Sequence, residues 1–466
     1  MVRRRHAARR RQQWSTFVSD LLAIGSSGLS AYRNALSAVG ENVANADTPG
    51  YSRRTVRMQA VDATGSMPFY KDQVVFGGVE TVGVQRAWDE FKAAEARQAD
   101  SAAGRADTRQ QWLGAVESAL DDGPTGVGST LTRFFASATT LAGDPGDPLK
   151  RSQMLTALED TTRAFRSTAD SLSRVSDGIA SAAKLDVDSV NASLAALYNL
   201  NGTIRTASPG SSARASLEDQ RDQLIDQLSQ KLDITATING DGTVSLNSAS
   251  ASGVSLLQGT GPGFVTMNRA TDGRLAFTLS IGGSTTPLPV GSGTLSGYAD
   301  TASQTADRRA QLDALGADFV ATINDWQAGG IDANGNPGAD LLSQAGGATT
   351  MQIAVADPAL IAAAGTDGTA NGNLIALDGV RASAGLEDRW GGIVSQNAQV
   401  LASAKSEAAA ADSWRDFSKA ALDGVSGVDL DREAADLLRY QQAYSASARI
   451  IQVARETVQS LFDALR

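Results

Sequence analysis

Two stretches at opposite ends of the chain carry the same pattern of apolar positions. Leu22, Gly25, Leu29, Tyr32, Leu36, Val39 and Val43 follow one another at alternating steps of three and four. That spacing predicts a helix with an apolar a/d seam sustained over about three heptads. The last segment is more regular. Leu430, Ala434, Leu437, Gln441, Tyr444, Ala448, Ile451, Arg455, Val458, Phe462 and Leu465 step four and three without a slip. Gln441 and Arg455 interrupt this second seam; such a position either sets register at a cost in stability or faces solvent where the seam frays. The simplest closure pairs the two helices, with the chain leaving and returning through nested domains. A pair that thin, at about 25 cal/mol per Å² buried, scarcely offsets the ordering entropy of ~70 residues. It is expected to be weakly ordered alone and to order on packing with copies of itself. The blander alternatives are a hairpin inside a globular protein and a free coiled-coil dimer.

Between these ends the period changes several times. Residues 55 to 86 read as irregular or β structure, with "QVVFGGVETVGV" the strand region. From Ala87 to about Asn201 the pattern is helical, broken by "DDGPTGVG" and "GDPGDP"; the second break places a helix start near Leu149. "ASLEDQRDQLIDQLSQKLDI" is a further helix with Leu217, Leu224, Ile225, Leu228 and Leu232 on one face. At Ile234 alternation replaces the helical period, and "NGDG", "GPG", "TDG" and "GG" separate short apolar runs up to Val290 as hairpin signals. Helix resumes near Asp300, and "MQIAVADPALIAAAG" reads as a strand and a turn. The predicted fold is mainly α with an inserted β domain. Residues 18–60 and 425–466 form a terminal helical domain, 61–233 and 300–424 a helical middle, and 234–299 the β insertion.

Composition narrows this picture. The chain has 466 residues, enough for two to four domains, and with 5% aromatic residues its cores should be mostly aliphatic. A net charge of −10 argues against nucleic acid as a general partner, and no run approaches a membrane span. "MVRRRHAARRRQQW" departs from the rest and lacks the apolar region of a secretory signal. It reads as a basic arm, a transit peptide, or a disordered or misannotated extension over residues 1–17. The abrupt change of composition favours the last.

Candidate chemistry is sparse. One histidine and no cysteine leave no basis for zinc sites, Ser-His-Asp triads or Cys-His pairs, and no cofactor is implied. The carboxylates of "DLDRE" and "EDQRDQLIDQ" have the spacing of solvated helix faces with i,i+4 charge pairs. "DANGNPGAD" mimics the start of a calcium loop through Asp332, Asn334 and Asn336. It has Pro337 where glycine is needed and Ser343 where the bidentate glutamate belongs, so a turn is the better reading. "GTGPG" precedes a strand pattern and has no helix to cradle phosphate. An enzyme is not expected.

The N-terminal seam runs into "NVANADTPGYSRR", where Asn, Asp, Pro and Gly stop a helix, Pro49 biases Thr48 away from the α region, and Gly50 can take positive φ. The Tyr-Ser-Arg-Arg that follows is too polar for a core strand. "LLAIGSSGLSAYRNALSAVGENVANADTPGYSRR" resembles the N-terminal signature of bacterial flagellar axial proteins, the subunits of rod, hook and hook-filament junction. The family's Asn-x-x-Asn-x-x-Thr-x-Gly-Tyr/Phe turn is matched by Asn42, Asn45, Thr48, Gly50 and Tyr51, with Pro49, Arg53 and Arg54 completing it here. "GVDLDREAADLLRYQQAYSASARIIQVARETVQSLFDAL" resembles the family's C-terminal helix. The Gly-Tyr-Ser-Arg-Arg exit, the "DQRDQL" segment and "FVATINDWQAGGIDANGNPGADLL" resemble the hook-associated junction branch. The alternative is a sibling hook or rod subunit, which tends toward a Gly-Phe-Lys exit.

The resemblance covers residues 18 to 466 and implies a structural role, for a chain short enough to lack a large outer domain. It implies export through the flagellar type III apparatus without a cleaved signal, and an extracellular place at the hook-filament junction. Translation would start at Val18, three residues before Leu21. Implied partners are copies of itself, the hook protein, the second hook-associated junction protein, and an export chaperone at the C-terminal helix. Nucleic acid and membrane insertion are not implied. Assembly would fall to Leu22, Leu29, Leu36, Val43, Leu437, Tyr444, Ile451, Val458 and Phe462.

Overall fold

A computed structural model describes residues 2–61, 77–259 and 261–463, without the side chains of residues 2–17 and Leu461. Helix α1 (Val2–Ala44) leads into an antiparallel ribbon of β1 (Arg54–Ala60) and β2 (Val79–Arg86), with Arg54 opposite Arg86 and a bulge after Arg57. Three helices follow: α2 (Glu90–Ala119), α3 (Val127–Ala142) and α4 (Pro148–Thr206). Asp89 caps α2 and Asp147 caps α4, each carboxylate accepting from two backbone N–H groups of the first turn. Pro148 sits just inside the start of α4, where its missing N–H costs nothing. At 59 residues α4 is roughly 90 Å long and serves both halves of the body.

Helix α5 (Ser212–Lys231) turns the chain into the β insertion. One sheet has the order β3 (Ile234–Ile238), β4 (Val244–Ser248), β5 (Ser255–Gln258) and β6 (Gly261–Pro262); the other has β7 (Phe264–Arg269), β8 (Leu275–Ile281) and β9 (Ser284–Pro287). The insertion shares its core with the helices. Leu246, Leu256, Val265 and Leu279 pack with Val190, Leu194 and Leu197 of α4 and with Ile225 and Leu228 of α5.

Helix α6 (Gly293–Ala328) starts seven residues before the expected Asp300. Gly293 has φ +80° and lies against the Lys231 backbone, where a Cβ would approach to 2.4 Å. Residues 330–365 form two-residue β ribbons and 3₁₀ turns, so "MQIAVADPALIAAAG" contributes only Gln352–Ile353 as strand before its turn. Helices α7 (Gly372–Ala384), α8 (Leu386–Ser426) and α9 (Leu430–Asp463) close the chain. The larger core joins α3, the first half of α4, the end of α6, α7 and the start of α8 around Phe134, Phe165, Phe319 and Trp390. Helix α9 returns antiparallel along α1, outside that core.

Candidate functional site: the turn and the terminal hairpin

Helix α1 stops where its sequence runs out of helix formers. Asn45 Nδ2 donates back to the Glu41 carbonyl (2.8 Å), Tyr51 N–H donates to the Thr48 carbonyl (3.1 Å), and Gly50 takes φ +74°. Gln223 of α5 closes on the turn and donates to the Pro49 carbonyl (2.7 Å); a Cβ on Gly50 would lie 2.2 Å from its amide nitrogen.

Asn42 is the centre of the arrangement. Its side chain is fully buried and uses all its bonding capacity. Nδ2 donates to the Arg54 carbonyl (2.9 Å) and to Glu433 Oε2 (3.0 Å), while Oδ1 accepts from Arg54 N–H (2.8 Å) and the Tyr51 hydroxyl (2.9 Å). Arg53 completes the pairing with α9, donating from Nε to Glu433 Oε1 (2.6 Å) and from Nη2 to Asp436 (3.2 Å). Arg54 reaches the other way, to Glu41 (3.0 Å) on α1 and to Ser216 and Asp219 on α5. Asn45, Thr48 and Pro49 shape the turn without entering this network.

The "YSRR" segment is polar, as its sequence says, but it is buried. Ser52, Arg53 and Arg54 are each less than a tenth exposed. Within "EDQRDQLIDQ" and "DLDRE", Asp429 and Asp431 are exposed and Glu218 pairs with Arg214 at i,i+4, as the spacing suggests, whereas Asp219, Asp222 and Glu433 depart from a solvated face. Asp219 and Asp222 are buried beneath Arg86 (2.8 and 2.7 Å), with Arg54 on Asp219 and Arg97 and Arg221 on Asp222, and Glu433 is 0% exposed. The guanidiniums of Arg86 and Arg97 also face the Trp88 ring. The reason is long-range. Apart from Arg221, which adjoins Asp222 on α5, the arginines that neutralise these acids come from the turn exit (Arg53), β1, β2 and α2, far away in sequence. A local signal existed in Arg221, which lies four residues from both Leu217 and Ile225, inside the predicted apolar face.

Charge and burial set the protonation states. Burial pushes the Tyr51 phenol up to about 12; Arg54 opposes this, and Glu41, Asp219 and Glu433 add to it. Burial works to lower the Arg54 value, but the hydrogen bond to Asp219 and the surrounding negative groups outweigh it, and the net shift is upward. The cluster therefore holds charge in fixed ion pairs. It is a joint, built to position two helices.

The terminal seam lies about one residue away from its expected place. On α1 the buried positions are Val18, Gly25, Gly28, Ala31, Ala35, Ala38, Val39 and Asn42. Of the expected seam, Gly25 and Val39 are buried, Leu22, Leu29, Tyr32 and Leu36 are half-buried, and Val43 is 46% exposed. On α9 the inward positions are Glu433, Ser447 and Ala454; Leu437, Tyr444, Ile451 and Val458 are half-buried beside them. Leu430, Ala434, Gln441, Ala448, Arg455 and Phe462 are exposed, which places Gln441 and Arg455 in solvent, and Leu465 lies outside the described residues. Small residues make this seam because the helices approach too closely for large ones. A Cβ on Gly25 would sit 2.6 Å from Ile451, and one on Gly28 would sit 2.8 Å from Ser447 Oγ.

Elsewhere, Asp332 accepts from the backbone N–H groups of Asn334 and Asn336 (2.8 Å each), with Gly335 at φ +82°, so "DANGNPGAD" is a turn held by its first carboxylate. Among the described residues no group of three or more His, Asp or Glu side chains is placed to hold a metal ion, and no helix is long and apolar enough to cross a membrane.

Comparison with known proteins gives matches in three stretches of the chain. Residues 113–342 match the family model described as the flagellar hook-associated protein FlgK helical domain. Residues 22–51 match the flagella basal body rod protein model, and residues 424–464 the C-terminal model of the basal body rod FlgEFG proteins. Flagellar hook-associated protein 1 of Bacillus subtilis is 26% identical over 97% of this chain and 99% of its own length. The proteins of that name from Escherichia coli and Salmonella typhimurium are 27% and 28% identical over 70% of this chain. This chain spans 60% of the length of those two. A solved structure, the flagellar hook junction protein FlgK from Burkholderia pseudomallei, aligns over 54% of this chain and 47% of its own at 23% identity, with a TM-score of 0.49.

Proposed function

The chain belongs to the flagellar hook-associated protein 1 family, and on that premise we propose that it is a structural subunit joining flagellar hook to filament. Its terminal helices carry the assembly, and the protein has no catalytic role. The observation that carries this reading is one bare apolar face on the α1/α9 hairpin. With about 100° per residue, Leu22, Leu29, Leu36 and Val43 lie roughly a quarter-turn or more from the buried seam of α1. Leu430, Leu437, Tyr444 and Phe462 lie a similar rotation, in the same sense, from the seam of α9. Because the helices run antiparallel, equal rotations bring both stripes to one side of the pair. The β1–β2 ribbon covers the other side, where Val79 N–H donates to Ser27 Oγ (3.2 Å) and Asn34 donates to Thr81 (3.4 Å).

An apolar stripe left half in water by its own chain is a surface for partners. Its occupants on this reading are neighbouring copies of the subunit. These copies form a ring, with hook protein and the second hook-associated junction protein at its two ends, and an export chaperone covers the C-terminal helix before secretion. The protein acts outside the cell, after export. A sibling rod or hook role is disfavoured by the hook-associated helical-domain match over residues 113–342, although both ends match rod-protein models.

The test is complementation of a strain lacking this gene with a Leu29→Asp, Leu36→Asp variant. The purified variant should keep the thermal transition of its body and should still be exported. Cells should shed flagellin and fail to swim. Attached filaments and normal swimming would overturn the proposal.

A further inference from the structure

We propose that Asn42, Glu433 and Arg53 form a clasp that sets the register of the terminal hairpin in the free subunit, before any neighbour is present. The seam beyond the clasp is poorly able to choose a register by itself. On α1 it presents Gly25, Gly28, Ala31, Ala35 and Ala38, and on α9 the inward positions Ser447 and Ala454 are both small and one heptad apart. Sliding α9 by seven residues would replace Ser447 opposite Gly28 by Ala454, one small residue by another. Packing of small side chains discriminates weakly between such states, and a buried polar residue is the usual device for fixing register.

The clasp supplies that discrimination. In the observed register Asn42 sits opposite Glu433, and both are 0% exposed. All the bonding capacity of Asn42 is taken up, and Glu433 accepts from Asn42 on one oxygen and from Arg53 on the other. A one-heptad slip would bring Tyr440 opposite Asn42 and carry Glu433 beyond the end of α1. One amide donor would lose its partner, and the Arg53 ion pair would be broken. Unpaired buried polar groups are penalised far more heavily than a change of small residue. The clasp lies at the body end of the hairpin, because Arg53 N–H is also held by the Ser426 carbonyl (2.8 Å) and Ala87 N–H by the Arg53 carbonyl (2.8 Å). The hairpin is therefore registered at its base while its tip stays free to adjust to neighbours. Asn42, Glu433 and Arg53 are positioning residues. The consequence for assembly rests on the function proposed above; the register itself is a property of the free chain.

The chain contains no cysteine, so engineered thiols report without background. A Cβ on Gly28 would lie 3.5 Å from the Ser447 Cβ, at the short end of disulfide reach. Full-length monomer with Gly28→Cys and Ser447→Cys should oxidise to the intramolecular disulfide at least ~10-fold faster than monomer with Gly28→Cys and Ala454→Cys. Glu433→Ala should bring the two rates to within about twofold, and Asn42→Asp should do the same by setting two carboxylates against each other. Adding Glu433→Gln to Asn42→Asp again sets a donor against an acceptor between the two positions, leaving only the Arg54 carbonyl without its amide donor, and should recover most of the preference for position 447. A merely structural role would not give this recovery. An unchanged preference in both single variants would show that chain connectivity alone sets the register. If a single variant loses both cross-links, the Asn42→Asp, Glu433→Gln pair decides; failure to recover the preference overturns the clasp.

Discussion

The body and the terminal hairpin use large apolar side chains in opposite ways. In the body they are interior. Phe134 and Phe135 meet edge to face with ring centroids 5.1 Å apart, Phe165 stacks on Phe319 at 5.8 Å, and Trp390 is 1% exposed. In the hairpin the interior is mostly glycine, alanine and serine, with two valines, a hydrogen-bonded asparagine and an ion-paired glutamate, while leucines and a phenylalanine stand at the flank. The body completes its burial alone. The hairpin leaves its apolar area half in water, where a neighbouring subunit can cover it. Stability in one region and, on the function proposed above, assembly in the other thus rest on the same residue types placed on different faces.

The sharpest contrast comes from truncating one residue of each kind. Phe319→Ala should destabilise the free subunit by about 3–5 kcal/mol, because a stacked and fully enclosed ring leaves a cavity. Leu29→Ala, half-buried at the flank, should cost less than about 1 kcal/mol in the same denaturant titration yet impair incorporation into flagella. Equal losses in the free subunit would dissolve the distinction between the regions.

The joint between them ranks next. Arg54→Ala removes ion pairs to Glu41 and Asp219 together, and Asp219 keeps only Arg86 among its close partners. The expected cost is about 2–4 kcal/mol, somewhat below the ~3–5 kcal/mol for breaking a buried pair outright, because Asp219 retains Arg86. Hydrogen exchange should locate the loss at the end of α1 and the start of α5, with the aromatic core of the body unaffected. Loss spread evenly over the chain would argue against a localised joint.

The alignment of structure with sequence follows the same contrast. Helix positions, the change to strands at Ile234 and the pairing of the two ends were legible, because they depend on period and on turn residues. The seam register was not. Hydropathy ranks Leu29 and Leu36 above Ala31 and Ala35, whereas the distance of closest approach selects the smaller pair. The joint was half legible. The turn residues announced themselves, but, Arg221 apart, the neutralising partners of Asp219, Asp222 and Glu433 are brought in by the turn exit, β1, β2 and α2, which no local spacing reveals. The look-alike calcium loop and the solvent-facing Gln441 and Arg455 show the converse, that a motif or a periodic position acquires meaning only from what packs on it.

A smaller effect probes the joint through pH. The Tyr51 hydroxyl donates to Asn42 Oδ1, which requires the protonated phenol, and its value is raised to about 12 from 10.0. A raised value means that the folded state holds this proton more tightly than the unfolded chain. Its contribution is complete below pH 10 and declines as pH rises from 10 to 12. Tyr298, also raised to about 12, adds a parallel decline from the body. Tyr51→Phe should therefore reduce the alkaline loss of stability without abolishing it. An unchanged alkaline profile would contradict the burial of a protonated Tyr51 phenol in the joint.

The central claim is that the uncovered stripe of the hairpin becomes an interface in the flagellum. Single-thiol variants Val43→Cys and Leu430→Cys place a reporter on each half of that stripe, and Leu185→Cys places a control on the body, at a position 70% exposed. In the free subunit all three should react readily with a maleimide. In assembled flagella the first two should be protected at least ~10-fold relative to the third, as expected for side chains moved from water into a packed contact. Undiminished labelling of both stripe positions in intact flagella would contradict the account.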